Sequence, residues 1–259
     1  MSAEVHAAPL RRAYDLAVTL AAWGYFLCAF LAGFGLLYAA AGLCPKPQLA
    51  FQRLNHWYYR GFFALLRLVA PRQRWRLAPE LAACRSCVVL CNHLSYLDPL
   101  LLMAHLPRCT TVAQARLFDY PIFGWVLKSA GYVPASSEGQ FAGLMLDQLE
   151  GLRQYLAGGG VLFLFPEGTR SRSGAVGALL PGALKLARQS GAPLVVFRFD
   201  NTGRLFPPGR FLFDAASPRE IRLSFQGRIA PEEPVYSGPL AALSAHLQAL
   251  LARPAKPSA

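Results

Sequence analysis

The sequence predicts an α/β protein: a mixed sheet flanked by helices, with an N-terminal membrane-embedded helical segment. Three observations predict it. Beyond residue 77, short apolar runs alternate with stretches of helical periodicity, the pattern of a sheet with helices packed against it. Between Leu16 and Cys44 there is no charged residue. Of the 259 residues, 54% are hydrophobic and 15% charged, with a mean hydropathy of +0.30, whereas about a quarter of an average soluble domain is charged.

The uncharged run at 16–44 is long enough to cross a bilayer, for which about 20 apolar residues suffice. Arg11 and Arg12 precede it as they would a signal peptide, but a secretory apolar region is shorter, roughly 7–15 residues. Gly24, Gly33 and Gly35 punctuate the run, so a bent, re-entrant pair of helices stands beside one straight span. Pro45 and Pro47 end it. Over 51–69, Trp57, Tyr58, Phe62, Phe63, Leu65, Leu66 and Leu68 are mixed with Arg53, Arg60 and Arg67, which predicts an interfacial helix. Arg72, Arg74, Trp75 and Arg76 extend a basic aromatic band toward anionic headgroups. Residues 1–76 are therefore expected to form a membrane-attachment region, 77–253 the main domain and 254–259 a frayed tail.

In the main domain, strands are expected at 88–91, 110–113, 161–165, 194–199 and 221–225. A helix is expected over 140–156, where Phe141, Leu144, Met145, Leu149, Leu152 and Leu156 recur at helical spacing before Gly158, Gly159 and Gly160 stop it. Further helices are expected at 179–189 and 240–251. The net charge of +12 suits an anionic lipid surface, a nucleic acid or an anionic cofactor. The high apolarity favours the lipid, and no nucleic-acid-binding signature accompanies the charge. Cys84, Cys87, Cys91 and nearby His93 invite a zinc reading, but no second ligand pair follows and Cys91 falls in a strand, so no metal is expected. Free cysteines of this kind read as small core residues, and six thiols without a disulfide framework fit a reducing compartment.

Two constellations carry chemistry. Asn92-His93-Leu94-Ser95-Tyr96-Leu97-Asp98 follows an expected buried strand. The strand end delivers His93 to an open sheet edge, and Asp98 with Pro99 reads as a helix N-cap and first helical position. A carboxylate there can fix the imidazole tautomer and free the other ring nitrogen to take a proton. Phe165-Pro166-Glu167-Gly168-Thr169-Arg170-Ser171 likewise follows a buried strand. It makes a polar pocket floor in which Arg170 could pair an anionic group. Trp125 and Phe123 read as core, and His56, His105 and His246 as surface or helix residues without a partner.

Asn92-His93-x4-Asp98 and Phe165-Pro166-Glu167-Gly168-Thr169-Arg170 together resemble the first and third motifs of the glycerolipid acyltransferase family, which includes the 1-acylglycerol-3-phosphate acyltransferases. Gln114-Ala115-Arg116-Leu117-Phe118 and Pro121-Ile122-Phe123-Gly124-Trp125 are similar to the segment between them. The resemblance covers roughly residues 80–205. It implies that His93, oriented by Asp98, is the general base on an acceptor hydroxyl that attacks the thioester of acyl-CoA or acyl-carrier protein. It assigns Glu167, Gly168, Thr169, Arg170 and Arg116 to the substrate, with Asn92, Ser95 or nearby backbone N–H groups as oxyanion donors. No bound cofactor or metal is implied; the acyl donor is a co-substrate. The partners implied are membrane lipids and a lysolipid acceptor, with no nucleic acid, and an apolar groove shared with the N-terminal helices would take the acyl chain.

Two departures bear on the acceptor. The family's second motif carries an arginine where this chain reads Gly131-Tyr132-Val133-Pro134-Ala135-Ser136-Ser137. The fourth keeps only Pro193. Arg116, Lys128 or Arg198 could supply the missing cation, or the acceptor could be a lyso-ornithine lipid, a lysophospholipid with a larger headgroup or a specialised lipid. The expected location is the inner (cytoplasmic) membrane with the site facing the cytoplasm, which requires Arg11, Arg12 and the basic region after Cys44 on the inside and so favours the re-entrant form. The other reading is a catalytically idle membrane-binding scaffold.

Overall fold

The computed structural model describes residues 2–135 and 147–254. The chain opens with a helical hairpin. Its first arm is α1 (Ser2–Ala29), a π-helical turn (Phe30–Phe34) and α2 (Gly35–Gly42). The second arm is α3 (Pro47–Val69). Tyr14 donates to the Val69 carbonyl, Tyr25 to the Tyr58 carbonyl and Tyr38 to the Asn55 side chain, so the arms run antiparallel from Tyr14 onward. The run at 16–44 does bend, at Gly33 in the π-helical turn, but it is not itself a pair of arms. The chain turns back only at Leu43–Lys46, where Pro45 and Pro47 cannot continue the first helix, and α3 supplies the return.

α3 is not chiefly an interfacial helix. Nine of its side chains are buried in the protein, including Phe51, Tyr58, Tyr59, Phe62, Phe63 and Leu66. The basic aromatic face survives as a narrow outer stripe of Arg53, Trp57, Arg60, Ala64, Arg67 and Leu68, with the Arg60 guanidinium over the Trp57 ring.

Seven strands among the described residues form one sheet: β1 (Gln73–Leu77), β2 (Cys87–Cys91), β3 (Cys109–Gln114), β4 (Val133–Ala135), β5 (Val161–Leu164), β6 (Leu194–Asp200) and β7 (Arg219–Ile229), in the order β1-β7-β6-β2-β5-β3-β4. β6, β2, β5, β3 and β4 are mutually parallel, while β7 runs antiparallel to β6 and pairs in parallel with β1. The sheet is mixed, as the apolar runs suggested. β2 reads as uninterrupted Cys-Val-Val-Leu-Cys because both of its faces are covered. Val89 and Cys91 enter the core shared with α1–α3 and α4 (Leu97–His105). Val88 and Leu90 enter the opposite core, with α7 (Pro181–Gln189) and the helix Leu240–Ala252.

β1 and β4 were not anticipated. The basic band at 72–76 is largely a strand: Gln73 and Trp75 turn inward while Arg74 and Arg76 point out, and Arg76 pairs with Glu220 on β7. The expected boundary at residue 76 therefore falls inside β1. Between β3 and β5 lie α5 (Pro121–Ser129), β4 and α6 (Asp147–Ala157). Phe141, Leu144 and Met145 of the expected helix over 140–156, the motif residues Ser136 and Ser137, and the tail at 255–259 lie outside the described residues.

Candidate active site

Because β6, β2, β5, β3 and β4 are parallel, their C-terminal ends share one edge of the sheet, the edge at which α/β sheets bind ligands. β2 ends in the His93 turn and β5 in the Glu167 loop, side by side.

Asp98 is fully buried in the first turn of α4. It is not the N-cap, and Pro99 is not the first helical residue: the helix opens at Leu97, and the Asp98 carboxylate reaches back over the preceding turn. Its Oδ2 accepts from the Leu94 and Ser95 amides at 2.6 and 2.8 Å and lies 3.0 Å from His93 Nδ1. That geometry makes Nδ1 the protonated ring nitrogen and leaves Nε2 with a lone pair. Nε2 has no protein partner among the described residues. The imidazole stacks on Phe165 with centroids 4.1 Å apart, which fixes the ring plane. Cys91 adds nothing to this chemistry. Burial, and then the neighbouring Asp98 charge, push its thiol well above the ordinary range, so it stays protonated.

Three expected roles are corrected. Asn92 is no oxyanion donor: its amide donates to the Phe199 carbonyl and accepts from the Phe199 N–H, clamping the end of β2 to β6. Ser95 is not one either, because its hydroxyl donates to Phe206 and accepts from Leu97, and the Leu94 and Ser95 amides are given to Asp98. Glu167 is spent on the fold. One carboxylate oxygen accepts from the His93 amide at 3.0 Å and the other from the Gly177 amide at 2.7 Å. With Ser171 N–H donating to the His93 carbonyl, these contacts staple the two motif loops together.

Gly168 makes the tight turn at φ +68°, where a side chain would also meet Leu180, and Thr169 is exposed. Arg170 lies over the Tyr96 ring, its Cζ 3.5 Å from the centroid, and Nη2 reaches the Tyr96 hydroxyl at 2.9 Å. Its Nη1 is buried with no protein partner. Arg116 is exposed just past β3 on the same sheet edge, bonded only to Gln114 among the described contacts. Lys128 is exposed in the last turn of α5. Arg198 is taken by Asp200 and the Leu251 carbonyl, so it cannot replace the missing cation. Among the described residues no three His, Cys, Asp or Glu side chains gather as a metal site.

Beside Tyr96 and Leu97 opens a shallow apolar cleft whose walls include Trp23 and Phe26 of α1, Phe62 of α3, Phe206 and Phe213. The motifs gave no sign of Phe206 or of Gly203, whose Cα lies so close to the Leu94 carbonyl that a methyl group would come within 2.9 Å of it. Tyr96 stands inside the first motif, but nothing in the spacing marks it as the platform for Arg170.

Residues 78–199 match the acyltransferase family model. Over that stretch, just under half of the chain, the protein is similar to the glycerolipid acyltransferases. Among similar proteins, a chloroplastic 1-acyl-sn-glycerol-3-phosphate acyltransferase of Brassica napus is 31% identical over 123 residues, 48% of this chain and 35% of that protein. A probable 1-acyl-sn-glycerol-3-phosphate acyltransferase of Mycoplasma pneumoniae is 32% identical over 124 residues, 45% of each chain. The chain thus spans about a third to under half the length of these curated relatives. The crystal structure of the 1-acyl-sn-glycerophosphate acyltransferase PlsC from Thermotoga maritima shares the fold, with a TM-score of 0.71 at 19% identity over 93% of this chain and 94% of that one. The acyltransferase stretch carries both motif loops, while the hairpin and β7 lie outside it.

Proposed function

We propose that the protein transfers a fatty acyl group from a thioester, acyl-CoA or acyl-carrier protein, to the hydroxyl of a lysophospholipid of the 1-acylglycerol-3-phosphate type. The observation that carries this reading is the His93–Asp98 pair, with Nε2 free at the ligand-binding edge of the sheet. Nε2 takes the hydroxyl proton as the acceptor oxygen attacks the thioester carbonyl carbon. The C–S bond then breaks, and the proton passes from Nε2 to the leaving thiolate. Asp98 holds the tautomer and stabilises the imidazolium in between. Glu167 is a positioning residue, acting through the His93 backbone. Arg170, with its unpartnered Nη1, is the donor we assign to the anionic headgroup, with Arg116 beyond it. The apolar cleft suits the acyl chain, and its α1 wall explains why the hairpin belongs to the enzyme.

Among the described residues, one helical stretch is long and apolar enough to cross a membrane, Pro9–Gly42, and little of it is buried in the protein. We infer that the hairpin lies in one leaflet with the sheet edge toward the cytoplasm. Tyr14 packs against Val69 and the Arg72 guanidinium, so Arg11, Arg12 and the basic residues after α3 sit at one end of the hairpin, as that topology requires.

A second acceptor reading rests on β4, where Gly131–Ala135 supply no cation: a lyso-ornithine lipid or a lysolipid with a larger headgroup. One assay separates the readings. Purified protein in detergent is given labelled acyl-CoA or acyl-carrier protein and a panel of lysolipids, beside His93→Ala. Transfer to lysophosphatidate that His93→Ala abolishes is the expected result. Transfer only to another acceptor moves the substrate, and a folded wild-type protein that acylates nothing sinks the enzyme reading in favour of an idle scaffold.

A further inference from the structure

The hairpin leaves a long apolar face uncovered, including Leu16, Leu20 and Leu27 on α1, Leu31 in the π-helical turn and Leu36 and Leu37 on α2. A second apolar surface stands beside its tip. Tyr120, Ile122 and Phe123, at the start of α5, are 59, 58 and 42% exposed. Phe123 and Trp125 read as core in the sequence, and the reason they are not is local. The Gly124 Cα faces the Phe118 carbonyl so closely that a Cβ would lie 2.2 Å from it, so α5 can dock only with that glycine inward. Gly124, Val126 and Leu127 are buried as a result. Trp125 bridges the two surfaces: its ring packs edge-on against Phe51 at the start of α3, and a methyl group at Gly42 would touch it. The α2 tip and the first turn of α5 therefore form one continuous apolar surface.

The charges around this surface indicate what covers it. Lys46 and Arg53 at the start of α3, Arg116 in the turn before α5 and Lys128 in the last turn of α5 are all exposed, with Asp119 as the only acid between residues 99 and 135. A second copy of a chain of net charge +12 would set these cations against their own kind. An anionic lipid surface would be attracted by them. Exposed apolar patches rimmed in this way mark membrane or protein contact sites.

We propose that the first turn of α5 is a second membrane anchor, in which Tyr120, Ile122 and Phe123 enter an anionic bilayer interface beside the outer face of α1 and α2. This deepens the membrane association inferred above. β3 and the Arg116 turn lead directly into this anchor, so it seats the ligand-binding edge of the sheet at the lipid surface, where a lysolipid resides.

The test uses the full chain and vesicles of phosphatidylcholine and phosphatidylglycerol, without acyl donor. Ile122→Glu/Phe123→Glu is expected to weaken vesicle partitioning by roughly tenfold for each side chain withdrawn. In a Trp23→Phe/Trp57→Phe/Trp75→Phe variant, the remaining Trp125 fluorescence is expected to be quenched by lipids brominated near the headgroup end of the chain. Wild-type partitioning by the glutamate variant overturns the proposal. So does unquenched Trp125 in protein that sediments with vesicles, or a glutamate variant that instead dissociates a dimer formed without lipid. If the glutamate variant fails to fold, the quenching alone decides. Acyl transfer is not read in this experiment, so an inactive protein that still docks through α5 would count against the proposed enzyme and not against the anchor.

Discussion

At the residue scale, the buried Asp98 carboxylate holds a turn, a helix start and an imidazole with one oxygen. Removing His93 costs the base alone, so His93→Ala should fold and lose roughly 10²–10⁴-fold in kcat, read in the acyl-transfer assay. Asp98→Ala also strips the Leu94 and Ser95 amides of their acceptor. It should lower stability by about 2–4 kcal/mol as well as abolish transfer, seen as a drop in Tm. Glu167→Gln separates a positioning role from a substrate contact. A carboxamide cannot accept at both ends, so one backbone N–H is left facing an NH2 group. The expected result is a Tm drop with reduced kcat and nearly unchanged KM for the lysolipid; an intact Tm with a raised KM would restore Glu167 to the substrate. The pairing of His93 with Asp98 was legible because both follow a buried strand at the spacing of the family's first motif; the spacing alone would also suit a capping carboxylate beside a core histidine. The commitments of Asn92, Ser95 and Glu167 were not. Each partner, Phe199, Phe206 or Gly177, comes from a segment that only the folded chain brings near.

At the scale of elements, periodicity exposed the strands buried on both faces, because a short uninterrupted apolar run bounded by turn residues is the pattern such a strand leaves. β1 escaped because arginine stands at 72, 74 and 76, and the outward charges hid the inward Gln73 and Trp75. β4 escaped because three residues containing a proline give no period. α3 was found but misassigned, since a helix wedged between a hairpin arm and a domain carries the same stripe as one lying on lipid. Its seam with α4 holds His56, against the Met103 carbonyl, and His105 ends α4. Burial, the dominant cause in both, holds these imidazoles below the ordinary histidine value. The unfolded chain therefore binds protons that the folded one refuses. The stability they contribute is complete above about pH 6.5 and is lost as pH falls below it. Tm should decline from about pH 7 to about pH 5, and His56→Gln/His105→Gln should flatten that decline. Gly203 belongs to this scale too. α8 (Thr202–Leu205) abuts the Leu94 turn there, and Gly203→Ala should push that turn aside and lower kcat more than it changes KM.

At the scale of the whole molecule, Val18, Ala22, Tyr38 and Ala41 of the hairpin share one hydrophobic core with α3, α4 and one face of the sheet. Asp15 Oδ1 also accepts from the Ala215 and Ala216 amides, tying α1 to the segment that carries Phe206 and Phe213. A chain lacking residues 1–46 should therefore be insoluble or unfolded rather than a free catalytic domain, as limited proteolysis and circular dichroism would show. Composition changes near residue 76 and so predicts a boundary there, yet composition says nothing of which surfaces meet. The stapling of the two motif loops has a consequence in time as well as in space. The amides of His93, Leu94, Ser95 and Gly177 are all held by the carboxylates of Asp98 or Glu167, and that of Ser171 by the His93 carbonyl. None can open to solvent without loosening its neighbours, so these five protons should exchange with deuterium at a common rate, as one opening unit drawn from two stretches of chain more than seventy residues apart.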